Sequence, residues 1–222
     1  MRVREGLSEK VSLTSERFPF EIAAAQRGSS TVQLSTVQLA SLLEQFHRAT
    51  REASKLVLGR ECDDLTSRLE PGSWSATECL DHLARTTFAF LPAISRAVAT
   101  APELTTNRPL RTGTIALLLI RNLEPPYRLR YKVIPQLAPQ ERDFEAAWSS
   151  FRNSQSQLSE AVKSAAGLAI DKTKVPCPLC AQVTYNAYGA FRMLAAHQCR
   201  HLWQMQQILG ALEGRRARKT AV

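Results

Sequence analysis

His197 and His201 stand four residues apart in AAHQCRHLWQMQQIL, and His82 lies more than a hundred residues earlier in SWSATECLDHL. On a helix, side chains at i and i+4 project from one face about a turn apart, so this pair can reach a common ion. A third imidazole from a neighbouring helix would complete an open three-nitrogen site. Neutral imidazole is the commonest protein ligand for zinc and related metals, and catalytic zinc usually keeps three protein ligands and one free position. An ion there can lower the pKa of a water or thiol, or polarise a carbonyl.

Other residues compete for the same chemistry. Cys177, Cys180, His197 and His201 read C-x2-C-x16-H-x3-H, which resembles a two-cysteine two-histidine zinc finger suited to nucleic acid. The central gap of sixteen exceeds the usual spacing of about 12–15 residues, and closed coordination would leave no place for substrate. It would also leave His82 without a role. Cys177 and Cys180 can otherwise be a redox pair or unpaired packing and surface residues. Glu78, one turn before His82, can orient that ring or cap its helix. Gln204 can hydrogen-bond a ligand, line a pocket, or be a surface residue. Cys199 falls far around the helix from both neighbouring histidines and should face away. His47 borders the apolar stripe of its helix and is expected to be structural, and Trp74, Trp148 and Trp203 are expected to pack.

Four long helical segments must position these groups. The first starts near Thr36, with Ser35 or Thr36 as its cap, and carries Leu39, Leu42, Phe46, Ala49 and Ala53 at helical spacing. Ser75 and Glu78 form a capping box that opens the second, whose stripe runs through Leu80, Leu83, Phe90, Ile94 and Val98. Pro92 is expected to kink or interrupt it. Residues 100–138 carry prolines at 102, 109, 125, 126 and 135 and read as a long crossover containing one short helical piece near Thr114–Asn122. Pro139 is expected to open the third helix, which ends at Gly167. Short extended pieces are expected near Val175 and Val183. The last helix should run from about Tyr185 to Leu212 and end at Gly214, with His197 and His201 in phase with Leu194, Ile208 and Leu212. The predicted fold is an all-α four-helix bundle with a long crossover between the second and third helices.

Length and composition suit one soluble globular domain: the chain has 222 residues, 44% apolar and 22% charged, and disordered chains have fewer apolar residues. The expected division is an arm at 1–34, the bundle at 35–213 and a basic tail at 214–222. The apolar run Ile115–Ile120 is about a third of the ~20 residues a spanning helix needs. No signal-peptide stretch is present, and five cysteines, an odd number, argue against a disulfide framework. A cytoplasmic protein is expected. The net charge of +9 is concentrated at Arg108, Arg111, Arg121, Arg128, Arg130 and Lys132, and again at Arg215, Arg216, Arg218 and Lys219. Such patches can draw anionic substrates, acidic partners or nucleic acid; solvated surface with a frayed terminus is the plainer reading.

SWSATECLDHL resembles the W-S-x-x-E-x-x-x-H-L signature of the DinB/YfiT-like superfamily, and HQCRHLWQ resembles its closing H-x-x-x-H-x-x-Q. Their order and separation match as well, and the resemblance spans about Thr36 to Leu212. It implies a four-helix bundle of DinB/YfiT type, often a homodimer, holding a divalent ion such as zinc or nickel on His82, His197 and His201. Some members are thiol-dependent transferases or isomerases that use a low-molecular-weight thiol. The expected function is therefore a divalent-metal-binding protein, with metal-dependent transfer or hydrolysis on a small-molecule substrate as its chemistry. Nucleic acid and membrane are not expected partners. The alternatives are a non-catalytic helical binding protein and the zinc finger described above.

Overall fold

In a computed structural model the described residues are 33–125, 127, 133–178 and 180–220. The arm expected at 1–34 lies almost entirely outside them, as do Arg128, Arg130 and Lys132 of the basic crossover. The four long helices are α1 (Leu34–Val57), α3 (Ala76–Ala99), α5 (Phe144–Ser164) and α6 (Ala187–Thr220), with shorter helices α2 (Cys62–Thr66) and α4 (Thr114–Leu123) between them. A 3-10 turn at Pro135–Leu137 precedes α5, and a two-stranded antiparallel hairpin, β1 (Lys174–Cys177) and β2 (Cys180–Asn186), joins α5 to α6. The described residues are all-α apart from this hairpin and an isolated bridge between Glu103 and Leu168, and the hairpin occupies the two extended pieces expected near Val175 and Val183.

Packing neighbours place α3 against α5 and α6, and α1 against those same two helices, while α4 lies along α6. Two apolar clusters fill the bundle. One gathers Leu42, Phe46, Phe90, Ile94, Leu158 and Phe191; the other gathers Ala53, Leu80, Leu83, Phe151, Leu202 and Met205. The order of these residues along each helix makes α1 and α6 run one way and α3 and α5 the other. Sequential helices α3 and α5 are thus parallel, which requires the chain to return the length of the bundle between them. That is why residues 100–143 form a crossover and not a turn. Thr86, Gln155 and Gln198 lie where each helix passes from one cluster to the other, and their buried side-chain atoms have no hydrogen-bond partner among the described residues.

The helix starts show where tertiary contacts replace local signals. Ser75 Oγ accepts from the Glu78 N–H at 3.2 Å, and Glu78 Oε2 accepts from the Ser75 N–H at 2.8 Å, so the expected capping box opens α3. Pro92 does not interrupt that helix, which is continuous from Ala76 to Ala99. By contrast α1 starts at Leu34, ahead of the expected Ser35 or Thr36 cap. Gln33 makes no side-chain cap there; Asn107 Oδ1 from the crossover instead accepts the Leu34 N–H at 2.9 Å. Pro139 does not open α5. Residues 140–143 stay out of the helix because the Gln140 N–H donates to Asp81 Oδ2 at 2.8 Å, and Asp143 caps the helix by accepting from the Ala146 N–H at 2.7 Å.

At α6 the start and end both differ from expectation. Tyr185 belongs to β2, and Asn186 Oδ1 accepts the Gly189 N–H at 2.7 Å to begin the helix at Ala187. Gly189 is required by close packing, since a Cβ there would lie 2.8 Å from the Ala116 methyl group of α4. The helix does not end at Gly214 but continues to Thr220. Arg215 and Arg216 pair with Glu70 and Asp64, so part of the basic tail braces the α2 region and is not a frayed end. Arg108 is likewise occupied, by a two-pronged contact with Asp171. No described helix is long and apolar enough to cross a membrane.

The capping box makes one stability prediction. Ser75→Ala removes the side-chain acceptor for the Glu78 N–H and is expected to destabilise the protein by about 1 kcal/mol. Urea unfolding should show the lower midpoint with an unchanged slope.

Candidate metal centre

His82 lies in the second turn of α3, buried between that helix, the 3-10 turn and α6. Its Nδ1 is 2.7 Å from the Leu137 carbonyl oxygen. A carbonyl can only accept, so Nδ1 carries the proton and Nε2 presents a lone pair. That lone pair faces α6, where His82 Nε2 is 3.2 Å from His197 Nε2. His201 is 7% exposed, and its Nδ1 lies 3.0 Å from Gln204 Oε1 one turn later on α6. With Gln204 accepting, His201 too keeps its Nε2 free. The ring centroids of His82, His197 and His201 are separated by 4.5–5.1 Å. One nitrogen from each ring can be chosen so that all three lie within 4.8 Å of one another.

These donors suit a small divalent ion. Metal–imidazole bonds of about 2.0–2.1 Å at tetrahedral angles place donor nitrogens about 3.3–3.4 Å apart, close to the 3.2 Å between His82 and His197. Two nitrogen lone pairs so near each other repel unless a proton or a cation lies between them. Outward-facing Nδ1 protons held by a carbonyl and an amide are the usual support of metal-binding imidazoles. Trp74 forms a wall, its ring centroid 4.9 Å from His82 and 5.7 Å from His201, nearly parallel to the latter.

All three imidazoles are shifted toward the neutral, metal-ready form. Burial lowers the His82 pKa against the opposing pull of the Leu137 carbonyl. Burial and then the adjacent His82 bring His197 down to about 3. Burial followed by the two neighbouring histidines holds His201 well below the ordinary imidazole value.

The other sequence candidates do not join this cluster. Glu78 is committed to the capping box and to Arg68, whose Nε donates to Glu78 Oε2 at 2.9 Å. Gln204 orients His201, as described. His47 and Cys199 are exposed. Cys177 is buried in the hairpin opposite exposed Cys180, and both are free thiols. Among the described residues the three histidines form the group able to hold an ion, and neither cysteine belongs to it. Trp148 packs between Phe144 and Phe151, but Trp203 is 42% exposed beside Tyr127 and is not the packing residue expected.

Sequence reasoning missed the groups that hold His82 in place. Leu137 acts through its backbone carbonyl, for which no side-chain signal exists. Asp81 and Arg85 flank His82 on α3 and bind the strap formed by residues 136–140, Asp81 through the Gln140 N–H and Arg85 by donating to the Gln136 carbonyl at 2.9 Å. Charged residues inside an apolar helical stripe were the available sign.

The depressed imidazole pKa values set the sign of a pH dependence in the metal-free protein. The unfolded chain takes up these protons near pH 6.5, and the folded chain resists them. The histidines' contribution to stability is therefore complete above about pH 6.5 and is lost as pH falls toward the folded values, about 3 for His197. Each histidine steepens the fall by at most about 1.4 kcal/mol per pH unit. The urea midpoint should be lower at pH 5 than at pH 8; an equal or higher midpoint at pH 5 would contradict this assignment.

No curated protein and no solved structure matches this chain. The sequence model of the DinB superfamily matches residues 45–205, a span that runs from the middle of α1 to beyond the α6 histidines and includes His82. The match covers most of the chain, takes in all three histidines and agrees with the crossed four-helix bundle, and the chain belongs to the DinB superfamily.

Proposed function

We propose that His82, His197 and His201 hold one divalent ion, zinc or nickel, and that the centre serves metal-dependent transfer or hydrolysis on a small molecule. The observation that carries the reading is the convergence of the ring nitrogens, 3.2 Å apart between His82 and His197, while Nδ1 of His82 and of His201 is engaged elsewhere. Three histidines are a borderline donor set that accepts several first-row metals. A bound ion supplies Lewis acidity, polarising a carbonyl or promoting deprotonation of a water or a low-molecular-weight thiol.

The chain's own residues supply position and environment. Leu137 and Gln204 fix the ring orientations of His82 and His201, and the Trp74 ring lies against both. Glu78 is not available as a general base, because both its oxygens serve Ser75 and Arg68. The use of a thiol cosubstrate, the homodimer and a cytoplasmic location rest on family resemblance and on the sequence, and belong to the same proposal.

Elemental analysis of the purified protein should give about one zinc or nickel per chain, by the three-ligand count. His82→Ala, His197→Ala and His201→Ala should each lose it, whereas Cys177→Ser with Cys180→Ser should retain it. Undiminished occupancy in His82→Ala would remove the three-histidine centre, and loss in the cysteine variant would restore the finger. Gln204→Ala should fold normally and bind zinc roughly tenfold more weakly, since it removes the partner that orients His201. Competition with a chromophoric chelator reads that change.

A further inference from the structure

Cys177 and Cys180 are brought opposite each other by an irregularity in the hairpin. Lys174, Val175 and Pro176 of β1 pair with Asn186, Tyr185 and Thr184 of β2, a register that would set Cys177 against Val183 if it continued. It shifts between Pro176 and Cys177, and Cys177 pairs with Cys180 instead. Irregularities of this kind re-aim side chains and are frequent beside reactive sites. Residues directly opposed in an antiparallel pair have Cα atoms about 4.5–5.5 Å apart, inside the roughly 4.4–6.8 Å that a disulfide spans. Pro178, in the turn between the two cysteines, has a fixed φ and restricts their freedom to separate.

The two thiols differ in access. Cys177 is 7% exposed and shares the buried face of β1 with Val175, whereas Cys180 is exposed and its thiol donates to Gln182 Oε1 at 3.0 Å. Tyr185 registers both sulfurs: burial raises its pKa first, and a hydrogen bond with Cys177 and the nearby Cys180 raise it further. Packing accounts for Cys177. It does not account for Cys180, because cysteine is otherwise among the most buried residue types and an exposed one fills no core. An accessible thiol paired with a shielded one suits a reaction in two steps, in which the first sulfur meets the oxidant and the second displaces it.

We propose that Cys177 and Cys180 form a thiol–disulfide exchange site for a low-molecular-weight disulfide, R–S–S–R. The Cys180 thiolate attacks one sulfur of that disulfide, forming Cys180–S–S–R and releasing RS⁻, which leaves as RSH with the proton Cys180 gave up. Cys177 then attacks Cys180 Sγ, closing the Cys177–Cys180 disulfide and expelling the second RSH with the Cys177 proton. Two protein thiols are oxidised and one small disulfide is reduced to two thiols, and an excess of RSH runs the sequence backwards. Neither cysteine belongs to the histidine cluster, so the site stands or falls independently of the metal proposal.

Full-length protein equilibrated with glutathione disulfide and glutathione at set ratios, quenched with iodoacetamide and digested with trypsin, reads the state of the pair by mass. Peptide 175–192 holds Cys177 and Cys180 and no other cysteine. It is expected to lose two hydrogens and carry no added group, at ratios where Cys62 and Cys199 are at least roughly tenfold less modified, because the second step is intramolecular. Cys177→Ala should hold a persistent glutathione adduct on Cys180. Cys180→Ser, at an exposed position and therefore expected to fold, should leave Cys177 unmodified. A peptide that stays reduced in glutathione disulfide alone, an adduct that persists on Cys180 of the unaltered protein, an adduct on Cys177 in Cys180→Ser, or oxidation no more favourable than that of Cys62 and Cys199 would each overturn the proposal.

Discussion

The hydrogen bond from His82 Nδ1 to the Leu137 carbonyl is the constraint on which the centre depends. A buried imidazole with both nitrogens uncommitted has two tautomers and two ring orientations, and only one combination aims a lone pair at α6. The carbonyl selects it, because an acceptor-only partner fixes the proton on Nδ1. The strap is itself fastened to α3 by Asp81 and Arg85, one residue before His82 and three after it. Three α3 side chains thus hold backbone groups of residues 136–140, and the strap holds His82 in return. Removal of one tie would loosen the others, which is how hydrogen-bond networks with shared members behave.

This arrangement follows from the topology. Parallel α3 and α5 oblige the chain to travel the length of the bundle, and the returning segment passes across the His82 end of α3 before α5 begins. A bundle with short turns throughout would have no strap there to supply the carbonyl. The capping box at Ser75 sets where α3 starts, and therefore the angular position of His82 seven residues later. From α6, the i,i+4 spacing of His197 and His201 brings two rings to one face. Burial then shifts all three toward the neutral form, which a cation requires.

What was legible in the sequence was what local patterns encode. Periodic apolar stripes revealed the four helices, and Ser75 with Glu78 located the start of α3 because that cap is made within four residues. The three histidines could be grouped because two share a helical face and the third falls in a recognisable motif. The errors arose where partners come from afar. Asn107 supplies the hydrogen bond that lets α1 start at Leu34, Asp81 keeps Gln140 outside α5, and ion pairs from Asp64 and Glu70 accompany α6 past Gly214. The Leu137 carbonyl was hidden for a related reason: every residue has one, and only the fold determines which is brought to His82.

Crystals grown with zinc and measured across the zinc absorption edge would locate the ion and identify its ligands together. One anomalous peak per chain is expected, within bonding distance, about 2.0–2.1 Å, of a ring nitrogen from each of His82, His197 and His201. A peak at Cys177 and Cys180, or a centre in which His82 donates to His197 and no zinc is bound, would contradict it.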